Sequence, residues 1–369
     1  MDYLKRVINE EEAKNLMTQG YLAMDPHCHT SFSYDVPDVK ETSPEQVVRK
    51  QKNKRLIPVI TDHDTLKGYL DARRKFNNIV PAVEIRIKPE KAKLLDYKPN
   101  TLHINVYGLN KEQYEILNNI ANVKKDLDLF IEFLKQEDLE WTYNHPFWHE
   151  KKEKLIWRAI PGLIKNYFDV IELNASMTKS INNLTINLAQ KFDKGIVASS
   201  DSHTGNPGTA YVIAEGKNFK EFWSNIKERQ MYVVRSDINA FTAVKEASLM
   251  IRNIFKSNNN PQKDKIFRSS IGIRPIDIIA NEVTSGWLKN KHIIKKALEV
   301  SMQAINYGAG PILAWKYYLR KNNNLANRLE KRIESMALKM NNMKYRVKNN
   351  IKRTIREDKI INNVKAKKY

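Results

Sequence analysis

Apolar positions in the first two hundred residues come in short runs, most of them closing on a polar or titratable side chain. Seven runs read as strands: YLAMDPHCH (21–29), LIPVITDHD (56–64), IVPAVEIRI (79–87), TLHINVYGL (101–109), EWTYNHP (140–146), DVIELNAS (169–176) and IVASSDSH (196–203). Between them, 66–77, 111–138, 152–167 and 178–194 carry helix-compatible patterns with few breakers. SPEQVVRKQKNK adds a start signal, with Ser43 as cap, Pro44 at the first helical position and Glu45 in the first turn. Near-continuous apolar strands alternating with helices predict an α/β fold, a parallel sheet covered by helices.

The polar positions sharpen this expectation. His29, His63, His145, Glu172, and Asp201 with His203, all fall at or just beyond the C-terminal ends of predicted strands. Glu84 lies late in the third strand. In α/β barrels the reactive groups gather at those ends, drawn from several strands. A barrel of about seven βα units therefore fits better than an open doubly wound sheet, because no Gly-rich phosphate loop follows the first strand. His103 lies near the start of its strand and joins the others only if that strand runs backwards. The preceding KPEKAKLLDYKPN (88–100) reads as a loop or hairpin that permits the reversal.

Farther on, NPGTAYVIAEG, a helix around KEFWSNIKERQ and a strand MYVV complete a first domain over 1–240. Residues 241–265 are a helix over 241–256 leading to a polar, proline-containing linker candidate, SNNNPQKDK (257–265). Residues 266–369 form a basic, mainly helical region in which Leu329, Ile333, Met336, Met340, Met343 and Val347 make a heptad-like stripe. That stripe suits a helix packed on its own domain or a partner helix. No internal repeat is visible.

Composition narrows the class. The 369 residues are 41% hydrophobic and 28% charged, as in globular proteins, and the single cysteine excludes an intramolecular disulfide framework. There is no secretory signal pattern at the N-terminus and no apolar run long enough to span a membrane, so a cytoplasmic protein is expected. The net charge of +21 is unevenly spread: residues 1–240 carry +2 and residues 241–369 carry +19. Such asymmetry points to a polyanion, nucleic acid first and an anionic membrane surface second, with Trp315, Tyr317 and Tyr318 as stacking surfaces. A chain rich in Asn and Lys throughout would also produce it.

The candidate chemistry is metal binding. In DPHCHTSFSYD (25–35), His27 and His29 share one strand face about 7 Å apart while Cys28 faces away, a geometry for joint ligation with the cysteine a buried bystander. Six histidines, 27, 29, 63, 103, 145 and 203, together with Asp35, Glu84 and Asp201, supply nine N and O donors, enough for two or three divalent ions. The absence of thiolate favours Zn, Mn or Fe in a hydrolytic site over a structural zinc. Asp25, Asp62 and Asp64 fit either orientation of ligand imidazoles or turn and surface roles. Glu172 and Asn174 match no ligand position, His149 reads as a surface residue, and His292 has no ligand companions.

Taken in order, His27-x-His29 … SYD (33–35), TDHDT (61–65), Glu84, LHINVYG (102–108), NHPF (144–147) and SSDSHT (199–204) resemble the PHP family, named for its polymerase and histidinol phosphatase members, over about residues 20–215. The resemblance implies a distorted (β/α)7, TIM-like barrel with a trinuclear metal site that hydrolyses phosphoesters through a metal-activated water. It implies that His27, His29, Glu84 and Asp201 hold one metal. Asp35, His63 and His203 would hold a second, and His103 and His145, with Glu84 bridging, a third. Asp35 stands where the family has Asp or His, and no ligand position is vacated. The family's substrates include histidinol phosphate, nucleotides and nucleic-acid ends. Combined with the basic C-terminal region, the expected substrate is a nucleic acid or nucleotide. The alternatives are a small-molecule phosphomonoesterase and a polyanion-binding module acting through residues 241–369.

Overall fold

The structure, a computed structural model, describes residues 2–150, 153–257, 324 and 327–332. Described residues up to 257 belong to one compact unit, and the short helical run at 327–332 to a second. The first unit runs β1 (Val7–Ile8), α1 (Glu10–Thr18), β2 (Leu22–Met24), α2 (Pro44–Asn53), α3 (Lys67–Arg73), β3 (Ala82–Ile87), β4 (Leu102–Tyr107), α4 (Lys111–Asn119), α5 (Leu127–Gln136), β5 (Glu140–Tyr143), α6 (Ile160–Tyr167), β6 (Val170–Asn174), α7 (Lys179–Phe192), β7 (Gly195–Ser199), β8 (Tyr211–Ala214), α8 (Phe219–Lys227), β9 (Met231–Val234) and α9 (Ala240–Lys256). Ser43 caps α2 as expected, accepting from the Gln46 amide. The pattern over 111–138 is two helices, separated by a π turn (Ile120–Lys124) and Lys125 at φ +50°. Asp126 then caps α5. Among the described residues no helix is long and apolar enough to cross a membrane.

Among the described residues the strands form two sheets, β1-β9-β8-β2 and β3-β4-β5-β6-β7, and not a closed barrel. Only β5–β6 and β6–β7 of the larger sheet pair in parallel. β4 runs antiparallel to both β3 and β5, which brings His103 to the same end as the other site residues. The expected strand over 56–64 has no ladder. It touches its neighbours through isolated bridges, Val59 to Val80 and His63 to Glu84, while Cys28 bridges Ser202 on the far side. Prolines explain part of this: Pro26, Pro58 and Pro81 each remove a donor from the segments that would pair.

Side chains stitch the gaps instead. Gln51, buried on α2, donates from Nε2 to the Val59 carbonyl (2.9 Å) and accepts from the Val59 amide at Oε1 (3.1 Å), so one amide side chain does the work of a neighbouring strand. Thr61 Oγ1 accepts from the Cys28 amide (3.0 Å) and donates to its carbonyl (3.1 Å). Asn105 and Tyr107 of β4 both donate to the Pro26 carbonyl. Beneath, Val48, Ile60, Ala72 and Ile79 form one buried cluster, each Val or Ile contributing about 1.5–3 kcal/mol.

Helix α9 matches the helix expected over 241–256, and it packs against the site-bearing loops. Glu246 accepts from Thr204 Oγ1 (2.7 Å), and Asn253 Nδ2 donates to the Thr204 carbonyl (3.2 Å). Of the heptad stripe, Leu329 alone falls in the described run. Residues 258–323, with His292, Trp315, Tyr317 and Tyr318, lie outside the described residues, as does most of the linker.

Candidate metal centre

The nine candidate donors converge in one buried cluster at the ends of the central strands. His27 and His29 leave the chain just after β2 on one face, and their Nε2 atoms stand 3.0 Å apart. Cys28 points the other way, its thiol donating to the Val59 carbonyl and accepting from Gln51. Glu84 comes from β3, His103 from β4, His145 from just beyond β5, and Asp201 and His203 from just beyond β7. Asp201 (φ +47°) and His145 (φ +26°) hold left-handed backbone, a strain that tends to persist where a site over-determines it.

Three groupings stand out. Glu84 Oε2 lies 3.3 and 3.5 Å from the Nε2 atoms of His27 and His29, and Asp201 Oδ1 lies 3.3 and 3.2 Å from the same two. Asp35 Oδ2 stands 3.2 Å from Nε2 of both His63 and His203. Glu84 Oε1 lies 3.0 Å from His103 Nδ1 and 3.4 Å from His145 Nε2. The two oxygens of Glu84 thus face two different sets of imidazoles. His63 joins both ends of this arrangement, since its Nδ1 is 2.7 Å from Glu84 Oε2, though misaligned for a hydrogen bond.

Outer partners fix the rings. His27 Nδ1 donates to Glu172 Oε1 (2.7 Å). His29 Nδ1 donates to Ser33 Oγ (3.0 Å), which donates in turn to Asp62 Oδ1 (2.8 Å). In the neutral rings both Nε2 lone pairs then face each other and two carboxylate oxygens, an arrangement that calls for a positive charge in the middle. Burial pulls His27 down, but Asp201, Glu84 and Glu172 outweigh it and lift His27 well above its ordinary range. Beside it, burial and the neighbouring His203 and His63 hold His29 down to about 3. Burial also lowers His203, yet Asp35 and Asp201 raise it to about 9. Glu84, against burial, is held well below the carboxylate range by His27, His63 and His103. Asp35 Oδ1, Glu84 Oε2, Asp201 Oδ1 and His203 Nε2 are buried without a hydrogen bond among the described residues. Orphaned acceptors this close together fit divalent cations held by N and O donors.

The residues left open in the sequence now have places. Asp25 is fully buried and pins Ser200 and the Gly208 amide; burial, partly offset by those bonds, pushes its carboxyl up to about 6. Asp62 anchors Thr30 and Ser33 and acts on His29 only through Ser33. Gly68 packs so closely over it that a Cβ would lie 1.9 Å from Asp62 Oδ2. Asp64 sits at a left-handed turn and pairs with Arg86. His149 is half-buried and, among the described residues, bonds to the Glu150 carbonyl next to it.

Glu172, at a strand end but matching no expected ligand position, orders the site from outside the nine donors. Each carboxylate oxygen takes two donors: Oε1 from His27 Nδ1 and Ser199 Oγ, Oε2 from the His145 amide and Asn174 Nδ2. It thereby positions His27 and His145 at once. The available signal was its place at a strand end in an otherwise apolar run. Trp148, also unassigned, packs its ring 4.7 Å from His103 and 5.3 Å from His145, and Tyr34 stacks 4.9 Å from His63.

No protein-family model and no curated protein matches the chain. Among solved structures it is similar to PsfC from Pseudomonas syringae, with 13% identity and a TM-score of 0.43, over 64% of this chain and 98% of that one. A two-domain protein from Bacteroides vulgatus containing a predicted PHP-like metal-dependent phosphoesterase matches at 14% identity and TM-score 0.41, over 64% and 71% of the two chains. An amidohydrolase from Chromobacterium violaceum matches at 13% identity and TM-score 0.38, over 57% and 96%. Likenesses this distant transfer no activity to the chain.

Proposed function

We propose that the protein is a metal-dependent phosphoesterase. In this reading His27, His29, Glu84 and Asp201 hold one divalent cation, Asp35, His63 and His203 a second, and His103 and His145, with Glu84 bridging, a third. The observation that carries it is the buried meeting of His27 Nε2, His29 Nε2, Glu84 Oε2 and Asp201 Oδ1 within 3.0–3.5 Å, with both rings anchored through Nδ1. Cations bound there would bring the pKa of a shared water toward neutrality and neutralise phosphoryl charge. The chain's own part is to orient. Glu172 and Ser33 fix the imidazole tautomers, and Trp148 and Tyr34 cover the His103 and His63 sides against bulk water.

For substrate, the charge of +19 over residues 241–369 favours a nucleic acid or nucleotide. The rival is a small phosphomonoester, favoured by the limited cleft beside Asp201 and His203 described below. One experiment separates them. The full-length protein, with and without Mn²⁺, is incubated with an end-labelled single-stranded RNA and a phosphomonoester together, using His203→Ala as the blank. Metal-dependent shortening of the RNA that rises as salt falls supports the nucleic-acid substrate. Phosphate released from the monoester alone selects the small-molecule reading, and no metal-dependent product from either refutes a phosphoesterase.

A further inference from the structure

A cleft of about 150 Å³ opens directly beside the metal centre, lined by Asp201 and His203 on the site side and by Thr242, Lys245 and Glu246 of α9 opposite. Ser176, after β6, and Ser236, after β9, add hydroxyls. The α9 wall is fixed in place: Glu246 and Asn253 bind Thr204, the Ile238 amide bonds the Met177 carbonyl, and Lys256 pairs with Glu41 at 2.6 Å. Asn239 and Thr242 close the helix start with a reciprocal capping box. Lys245, exposed and one turn on from Thr242, has no ion-pair partner among the described residues.

We infer that this cleft seats the alcohol portion of a small phosphomonoester and that Lys245 binds an anionic group on that portion. The inference rests on the phosphoesterase reading of the adjoining centre, takes the small-phosphomonoester alternative for its substrate, and adds to it a residue. Size comes first. Ligand pockets usually enclose about 300–1,000 Å³, so a cleft near half the lower bound encloses a fragment of a few carbons, and anything larger would extend beyond it. Chemistry comes second: the Lys245 ammonium stands among Ala175, Ile238 and Met250, with Ser176 and Ser236 near and the Glu246 carboxylate engaged by Thr204, which suits a short carbon fragment ending in an anionic group. Position comes third, because a fragment in this cleft lies against Asp201 and His203, where its phosphoryl group would meet the proposed cations. Helix α9 is then a wall of the proposed substrate site.

The test uses two probes that differ in one carboxylate, 3-phosphoglycerate and glycerol 3-phosphate. Each is titrated calorimetrically into the full-length metal-loaded protein as wild type, Lys245→Ala, Lys245→Arg and Ser236→Trp, with metal content measured for every variant and phosphate release followed in parallel. Losing one charge-assisted contact should lower the preference for 3-phosphoglycerate over glycerol 3-phosphate by about tenfold in Lys245→Ala. Lys245→Arg should restore most of that preference, and Ser236→Trp should weaken both probes. Unchanged binding in Lys245→Ala and Ser236→Trp at full metal content, or no binding of either probe to wild type, overturns the inference. Binding that follows the expected pattern without phosphate release keeps the subsite and refutes hydrolysis of such monoesters at the adjoining centre. Release with equal kcat/KM in all four proteins does the reverse.

Discussion

Glu172 shows how a residue outside the nine expected donors can order a candidate metal centre. It is 1% exposed, and both oxygens are saturated by donors, from His27 and Ser199 on one side and from His145 and Asn174 on the other. Burial raises its carboxyl, but His27 outweighs that and keeps it below the ordinary range, so it is ionised at neutral pH. Glu172→Gln keeps the shape but replaces one acceptor with an amide donor, so one of the two pairs of donors must lose its partner. The variant should bind divalent metal about 10–100-fold more weakly, as loss of such outer partners commonly does, measured by competition against a chelator. Metal affinity equal to wild type would show that Glu172 only fills space. In the sequence this residue was an acid inside VIELN; its role needs β6 beside β7 and beside the turn after β2, which no local pattern carries. His27 and His29 were legible because the period of two along an extended chain sets their common face wherever the chain goes.

At the scale of elements, segment 56–64 is the instructive case. Its apolar run predicts a strand, and it occupies a strand's position, but Pro58 and the side chain of Gln51 change how its backbone is satisfied. Helix α2 is therefore more than a cover for the sheet. Gln51→Leu would leave the Val59 N–H buried without a partner and its C=O held by the Cys28 thiol alone, a loss of about 1–3 kcal/mol, read as a lower denaturation midpoint at unchanged m-value. A change within about 0.5 kcal/mol would mean that the segment pairs by other means. The long connection before β4 is held in a different way. Glu153 accepts from the Thr101 amide and hydroxyl and from Asn100, and pairs with Lys88 at 2.9 Å. Burial opposes its ionisation, yet Lys88, Thr101 and Asn100 bring its carboxyl down to about 2 from the ordinary 4.5. Because the folded value is the lower one, this contribution is complete above pH 4.5 and is lost as pH falls toward 2. Glu153→Gln should therefore flatten the acid limb of the stability–pH curve in that window, and a variant with the wild-type slope would remove Glu153 from the account. These links join distant loops through side chains, which is why patterning located the strands but not what holds them together.

The whole molecule balances four buried or nearly buried carboxylates, Asp35, Glu84, Glu172 and Asp201, against six imidazoles in one small volume. Folding alone does not neutralise them: Asp35, Glu84 and Asp201 keep orphaned oxygens, and His27 is driven toward its charged form by the acids around it. Divalent cations would relieve both conditions at once, and only the folded chain brings donors from β2, β3, β4, β5 and β7 together. Metal binding must then appear as stability. At a hundredfold excess over its dissociation constant each cation would add about 2.7 kcal/mol. For a unit of this size that corresponds to a rise in Tm of roughly 5–10 °C per site. Scanning calorimetry of the chelator-stripped protein, titrated with Mn²⁺ or Zn²⁺, should show Tm climbing with cation concentration. His203→Ala should lose part of that gain, and a substitution at both His27 and His29 most of it. If Tm stays fixed across the titration, the cluster is a network of protonated imidazoles and carboxylates, and the proposed hydrolysis loses its cations. The size of the increments also counts the sites, because His203→Ala removes a donor from the second set while leaving His27, His29, Glu84 and Asp201 in place. A single concentration-dependent step that His203→Ala leaves unaltered would reduce the proposed trinuclear centre to one ion held by those four residues.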